Sequence, residues 1–111
     1  MASEDSVQTA RETREQAARR LIRLRKALGC ATPRELVAEL YPADEVEAAF
    51  RRLQKYEKAK ALPPPEFIGR LKAYCGADWN YIYGGDMESL PVRLYRKLQQ
   101  TPEQEMEADA G

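Results

Sequence analysis

The side chains in this sequence that could do chemistry are a cluster of carboxylates and two cysteines. Asp44, Glu45 and Glu47 lie close together, a pattern that acid–base catalysis can use. The chain has no histidine, however, so the commonest general base and metal ligand is missing. Cys30 and Cys75 have no neighbours at metal-ligand spacing, and the sequence has no glycine-rich phosphate loop. We therefore expect no enzyme activity, no metal and no cofactor, and we interpret the carboxylates as helix-start charges.

The cysteines and the apolar content bear on location. Two cysteines beside predicted helix ends do not make a disulfide framework, which favours free thiols in a reducing cytoplasm. No apolar run approaches the ~20 residues that span a bilayer. The first residues are polar and acidic, unlike a signal peptide. We expect a cytoplasmic protein that has no membrane partner.

Charge is distributed in blocks along the chain. The 18 basic and 18 acidic side chains give a net charge of zero. Basic residues are concentrated in 11–28 and 51–60, and acidic residues in 34–47 and 101–111. A nucleic-acid-binding protein usually has a basic face. The two basic blocks could form such a face, with acidic neighbours close by.

The basic blocks allow two interpretations. Residues 51–60 could contact DNA phosphates, or they could form a solvated helix face with salt bridges to Glu47 and Glu57. For the arginines of 11–28, a solvated face is favoured over contact with backbone phosphate.

Caps and apolar stripes at helical spacing predict the elements that position these side chains. Capping boxes are expected at Thr9 with Glu12 and at Thr32 with Glu35, and Asp78 and Ser89 are further candidate caps. The predicted helices cover residues 10–28, 33–41, 44–57, 65–75, 79–83 and 90–100. We expect an all-α domain over 10–100, a disordered N-terminus over 1–9 and an acidic disordered tail over 101–111.

The aromatic cluster near residue 80 also has two interpretations. Trp79, Tyr81 and Tyr83 could stack on bases or on a ligand. The favoured alternative places Trp79 and Ile82 in the core and leaves the tyrosines half-exposed at its edge.

The same region carries a family resemblance. Leu62-Pro63, then a helix, then Gly76-x-Asp78-Trp79-x-x-Ile82-Tyr83-x-Gly85-Asp86 resembles the end of a lambda-repressor-like helix-turn-helix domain of the Xre family. Residues 18–29 resemble the first helix of that family, Lys55-Tyr56-Glu57-Lys58 resembles the end of its recognition helix, and Leu90-Pro91-x-x-Leu94 resembles a tail that many members carry. The resemblance covers about residues 17–94. It implies an all-α, compact bundle of five short helices with an added C-terminal helix.

The middle of the chain departs from the family pattern. Pro33 stands where many members have glutamine, and Tyr41 stands where the family has its turn glycine. About six extra residues precede Tyr56. We therefore expect either a longer third helix or an enlarged turn before it.

The resemblance implies a sequence-specific DNA-binding transcriptional regulator of the repressor type, of bacterial or phage origin. The third helix would enter the major groove of double-stranded DNA while the second crosses the backbone. The residues expected near DNA are Arg51, Arg52, Gln54 and Lys55 on the third helix, with Thr32 and Arg34 on phosphates. Arg51 or Arg52 would read guanine. A homodimer through the last helix is expected from its apolar face.

The alternative is a helix-turn-helix-derived module that binds a protein partner and does not read DNA. A phage or prophage inhibitor, or an antirepressor-like adaptor, would be an example. The neutral net charge, Pro33, the extra residues and the acidic opening of the third helix favour this alternative.

Overall fold

Six α-helices and one 3-10 turn make up the described part of the chain. The computed structural model describes the backbone of residues 4–102 and the side chains of residues 9–102. The helices are α1 (Glu4–Ala27), α2 (Pro33–Leu40), α3 (Val46–Glu57), α4 (Pro65–Cys75), α5 (Trp79–Gly84) and α6 (Val92–Gln99). Residues 4–102 contain no β-strand, which confirms the predicted all-α bundle of five short helices and a C-terminal helix.

The first helix starts earlier than predicted. It begins at Glu4, so Thr9 lies inside the helix, where its carbonyl accepts a hydrogen bond from the Thr13 hydroxyl. The prediction of a capping box at Thr9 is therefore wrong. The helix can begin at Glu4 because no proline or glycine interrupts the chain between Glu4 and Thr9. Of the stretch 1–9 expected to be disordered, residues 4–9 belong to α1 and residues 1–3 lie outside the described residues. The expected acidic tail is described only at Thr101 and Pro102.

The second capping box is confirmed at the start of α2. The Thr32 hydroxyl accepts from the backbone N–H of Glu35, and the Glu35 carboxylate accepts from the backbone N–H of Thr32 at 2.7 Å. Pro33 occupies the first helical position. The helix ends because Tyr41, which precedes Pro42, is extended with φ −132° and ψ 149°. A 3-10 turn over Ala43–Glu45 then leads into α3.

All six helices contribute side chains to the core, and α3 packs against both α1 and α2. Ala49, Leu53 and Tyr56 of α3 are buried against α1 and α2, as the predicted apolar stripe requires. The core also includes Leu21 and Leu24 of α1. One face of α3 is thereby buried along its length, and the opposite face stays open to solvent.

The aromatic cluster is arranged differently from the prediction. Trp79 is 46% exposed, whereas Tyr81 is 1% exposed and Ile82 is fully buried. A helix of six residues can bury only one face, and the pair Tyr81–Ile82 faces α1, with the Tyr81 hydroxyl near the carbonyl of Arg20. Trp79 is therefore not a core residue, and Tyr81 is not an edge residue. Tyr83 is half-buried, as expected, and its hydroxyl donates to the carbonyl of Pro63.

The last helix begins two residues later than predicted. Pro91 precedes its first residue, Val92, and Ser89 does not cap it. Leu94 and Leu98 are buried, while Tyr95 is 37% exposed. Pro91 also packs against the end of α4. A Cβ at Gly76, which has φ +90°, would lie 2.5 Å from the Pro91 ring.

Arginine side chains join the ends of the helices. Arg14 of α1 donates to the carbonyl of Ala59, two residues after α3. Arg20 of α1 donates to the carbonyls of Ile82 and Tyr83 in α5. Arg23 of α1 donates to the carbonyl of Leu98 in α6 and to that of Thr101 just after it. Arg70 donates in the same way to Leu40, the last residue of α2. The carbonyls of Leu40, Ile82, Tyr83 and Leu98 lie in the last turns of their helices, where intrahelical donors run out and the negative end of the helix dipole favours a cation. The Leu98 carbonyl also accepts from the N–H of Thr101. The interpretation of the α1 arginines as a solvated or phosphate-binding face is therefore wrong for Arg14, Arg20 and Arg23.

A buried ion pair links α1 to the end of α3. The guanidinium of Arg25 donates to both carboxylate oxygens of Glu57, at 2.8 and 3.1 Å. The two residues are 5% and 8% exposed. Arg25 also donates to the carbonyls of Cys30 and Ala31, so each of its three guanidinium nitrogens has a partner. Among residues 9–102, no buried side-chain nitrogen or oxygen lacks a partner.

We predict that Glu57→Gln destabilises the protein by about 3–5 kcal/mol, because it leaves the Arg25 charge buried without its counter-charge. Urea unfolding followed by circular dichroism measures this change. Arg25→Met/Glu57→Leu should be markedly more stable than Glu57→Gln, since it removes both charges. The control Glu47→Gln breaks an exposed ion pair and should change stability far less. Equal decreases in the free energy of unfolding for Glu47→Gln and Glu57→Gln would contradict a buried Arg25–Glu57 ion pair.

Candidate nucleic-acid interface

The exposed face of α3 carries a row of charged side chains. Glu47, Arg51, Lys55 and Lys58 follow one another at intervals of four, four and three residues, so they lie along one line of the helix. All four are exposed. Within residues 9–102, Arg51, Lys55 and Lys58 make no ion pair. Their charges are thus available to a ligand.

Two of the predicted site residues are in this row, and two others lie on its flanks. Arg51 and Lys55 are in the row. Arg52 is turned towards α2, where its guanidinium lies 5.7 Å from the ring of Tyr41. Burial raises the pKa of Tyr41, and the nearby guanidinium of Arg52 opposes the shift. Gln54 is half-buried and lines a cavity of about 210 Å³ beside the Arg25–Glu57 pair.

The two predicted residues of α2 are engaged in local interactions. Thr32 is exposed, but its hydroxyl belongs to the capping box with Glu35. Arg34 forms an ion pair with Glu47 across the α2–α3 angle, and its guanidinium lies 4.3 Å from the centre of the Phe50 ring. The structure therefore brings Arg34 beside the α3 row, with its charge matched by a carboxylate.

Lys58 belongs to this row although the sequence analysis did not include it among the site residues. Its spacing of seven residues from Arg51 was a usable signal, because seven residues make almost two full turns. The position just after the last helical residue, Glu57, made its direction uncertain from sequence.

The row has an acidic end and a basic end. Asp44 and Glu45 are exposed in the 3-10 turn, and Glu47 follows in the first turn of α3. The hydrogen bond from Arg34 lowers the pKa of Glu47, and the charge of Arg51 acts in the same direction. Glu47 is therefore firmly ionised at neutral pH. Beyond it, the exposed residues of the row are basic only.

Nucleophilic or metal chemistry finds little support in the described residues. Burial is the largest cause that raises the pKa of both Cys30 and Cys75, which keeps these thiols protonated and weakly nucleophilic. No group of three or more potential ligands within residues 9–102 could hold a metal ion. None of the helices in the described range is both long and apolar enough to cross a membrane. The open face of α3 is thus the strongest candidate site.

Comparison with known proteins gives no homologous site with which α3 can be compared. No family model, no curated protein and no solved structure matches the chain. The function must therefore be argued from the site alone.

We predict that the pKa of Glu47 lies below the ordinary glutamate value and moves back towards it in Arg34→Ala, because the hydrogen bond from Arg34 favours the carboxylate. An NMR titration of the side-chain carboxyl carbon measures both values. Since the folded-state pKa is lowered, the Arg34–Glu47 interaction is present above the ordinary pKa and is lost as the pH falls through the lowered value. As a control, Lys72→Ala on α4 should leave the Glu47 titration unchanged. An unshifted Glu47 in the wild type would rule out the ion pair in solution.

Proposed function

We propose that this protein binds double-stranded DNA through the open face of α3. The observation that carries the proposal is the unpaired row of Arg51, Lys55 and Lys58 on a helix whose other face is fixed in the core. A 12-residue helix is about 18 Å long. A major groove about 12 Å wide admits a helix of that kind.

The regulator function extends this proposal. In a helix-turn-helix arrangement, α3 enters the major groove and α2 crosses the sugar–phosphate backbone. Arg51, near the middle of the row, would donate to a guanine edge, since arginine pairs with the two acceptors of guanine in a bidentate way. Lys58 and Lys55 would contact phosphates. The protein would then act as a sequence-specific transcriptional regulator.

The acidic end of the row restricts how α3 can approach DNA. Asp44 and Glu45 would be repelled by phosphates if the first turn pointed into the groove. Contact through the second and third turns avoids this repulsion. In this orientation Arg34, paired with Glu47, lies at the edge of the interface.

A second candidate function is binding to a protein, and a specific observation favours it. The guanidinium groups of Arg14, Arg20, Arg23 and Arg25 are bonded within the protein. They cannot extend the basic surface beyond α3, and the whole chain is neutral. A short basic strip with an acidic end would suit a protein surface of matching charge.

The experiment that separates these functions is a salt titration of binding to a random-sequence duplex by fluorescence anisotropy. For DNA binding, we expect the affinity to fall steeply with salt. Lys55→Ala/Lys58→Ala should reduce the slope of log K against log salt by about 1.8, because each lost phosphate contact removes about 0.9. Lys72→Ala/Arg96→Ala removes two exposed cations from α4 and α6 and is the matched control, with the slope expected to stay unchanged. Absence of binding even at low salt would reject the DNA proposal in favour of a protein partner.

We also predict that Glu47→Gln strengthens DNA binding, because it removes a negative charge from the row and releases Arg34 for a phosphate. The slope against log salt should become steeper by about 0.9, with a gain in affinity on the order of fivefold at low salt. Glu88→Gln, an exposed acid in the loop before α6, makes the same charge change away from the row and should have little effect. Weaker binding by the Glu47 variant would mean that α3 does not face the phosphates.

A further inference from the structure

A groove lies between α4 and α6, beside the end of α1, on a different part of the molecule from the α3 row. Its volume is about 520 Å³, within the range of ligand-binding clefts. Leu28, Tyr74 and Leu94 contribute apolar surface to it, and Cys75 also lines it. Tyr74 is 43% exposed. The groove thus offers apolar surface that no described residue covers.

Two basic side chains of α6 also line the groove. Arg93 and Lys97 are four residues apart on one side of the helix, and both are exposed. Neither forms an ion pair with any residue of the range 9–102. Burial raises the pKa of the Tyr74 phenol, and the carboxylate of Glu39 on α2 acts in the same direction. The groove is therefore positive on its α6 side, and an occupant lying along α6 should be acidic with some apolar surface.

A second copy of the chain does not fit this requirement. A symmetric contact through α6 would bring Arg93 and Lys97 close to the same residues of the other copy. Like charges brought together at a partly desolvated interface repel each other strongly. The expectation of a homodimer through the last helix is thus unfavourable on electrostatic grounds.

An acidic segment with one apolar side chain follows α6 directly. Residues 103–111, Glu-Gln-Glu-Met-Glu-Ala-Asp-Ala-Gly, contain four carboxylates, no cation and Met106. The carbonyl of Thr101 is held by Arg23 at 2.6 Å, which fixes the point from which this segment leaves the bundle. Nine residues reach up to about 30 Å, whereas α6 is only about 12 Å long. The segment can therefore turn back along α6 and pass both Lys97 and Arg93.

We infer that residues 103–111 bind in the groove between α4 and α6, with carboxylates on Arg93 and Lys97 and with Met106 against the apolar lining. The inference does not depend on the DNA proposal, because it rests on a different surface. Binding of this kind would cover Tyr74 and Cys75 in the free protein. It would also leave the α3 row open.

The test compares the full chain with a variant whose segment is neutral, Glu103→Gln/Glu105→Gln/Glu107→Gln/Asp109→Asn. Two-dimensional NMR should show changes at the amides of Tyr74, Leu94 and Lys97, and alkylation of Cys75 should become several-fold faster. Alkylation is followed at about pH 8.5, where the thiolate is better populated, by mass spectrometry of the Cys75 peptide. Asp44→Asn/Glu45→Gln removes acids from the α3 end and should change neither observable.

Exchanging the charges of α6 and of the segment 103–111 separates direct contact between them from indirect effects of the substitutions. Arg93→Glu/Lys97→Glu should speed Cys75 alkylation as the neutral segment does, and adding Glu105→Lys/Glu107→Lys should restore protection. Identical spectra and alkylation rates in the wild type and the neutral variant would overturn the inference. Spectral changes at Arg51 and Lys55 instead would place the segment on α3. Changes that depend on protein concentration would indicate binding by a second copy. Either result would overturn the inference that residues 103–111 bind in the groove.

Discussion

The ends of short helices impose the constraint on which this structure depends. Each helix leaves up to four backbone carbonyls without intrahelical partners, so a bundle of short helices has many such groups relative to its core. Arginines supply the missing donors. Three of them extend from α1, which makes the longest helix a common support for the ends of α3, α5 and α6. Arg25 adds a fourth link through the carboxylate of Glu57.

This use of arginine explains why Arg14, Arg20 and Arg23 add little to the basic surface of the protein. Guanidinium groups that are bonded to carbonyls keep their charge, but their donors point inward and are not free for a ligand. Exposed cations lie in the α3 row and on the α6 side of the groove, and others, such as Lys72 and Arg96, lie elsewhere on the surface. The neutral net charge of the chain therefore says little about what either surface can bind.

Local signals in the sequence were sufficient to predict most of the helices. The capping box at Thr32, Pro33 at the first helical position and the left-handed glycine at Gly76 each depend on neighbours a few residues away, and the structure has all three. The Thr9 box failed because a capping sequence also fits inside a helix when nothing before it stops the helix. Local patterns thus identify possible helix termini, and the flanking residues determine at which of them the helix begins or ends.

Partners far apart in sequence could not be predicted in the same way. The stripe of α1 showed which arginines lie outside the core but not that they meet the carbonyls of other helices, more than 40 residues away in sequence. The burial of Tyr81 instead of Trp79 has the same origin, because it depends on where α5 meets α1. For the candidate site, Arg51 and Lys55 followed from helical spacing. The pairing of Arg34 with Glu47 required the angle between α2 and α3.

The contact between Gly76 and Pro91 has a consequence for how this sequence can vary. Any side chain at position 76 would meet the ring of Pro91 and would also have to adopt a backbone conformation that suits glycine. Only a change that removes the ring and relaxes the backbone together would make room for it. The order of change in evolution is therefore one-way: position 91, fifteen residues further along the chain, must lose its ring before position 76 can gain a side chain.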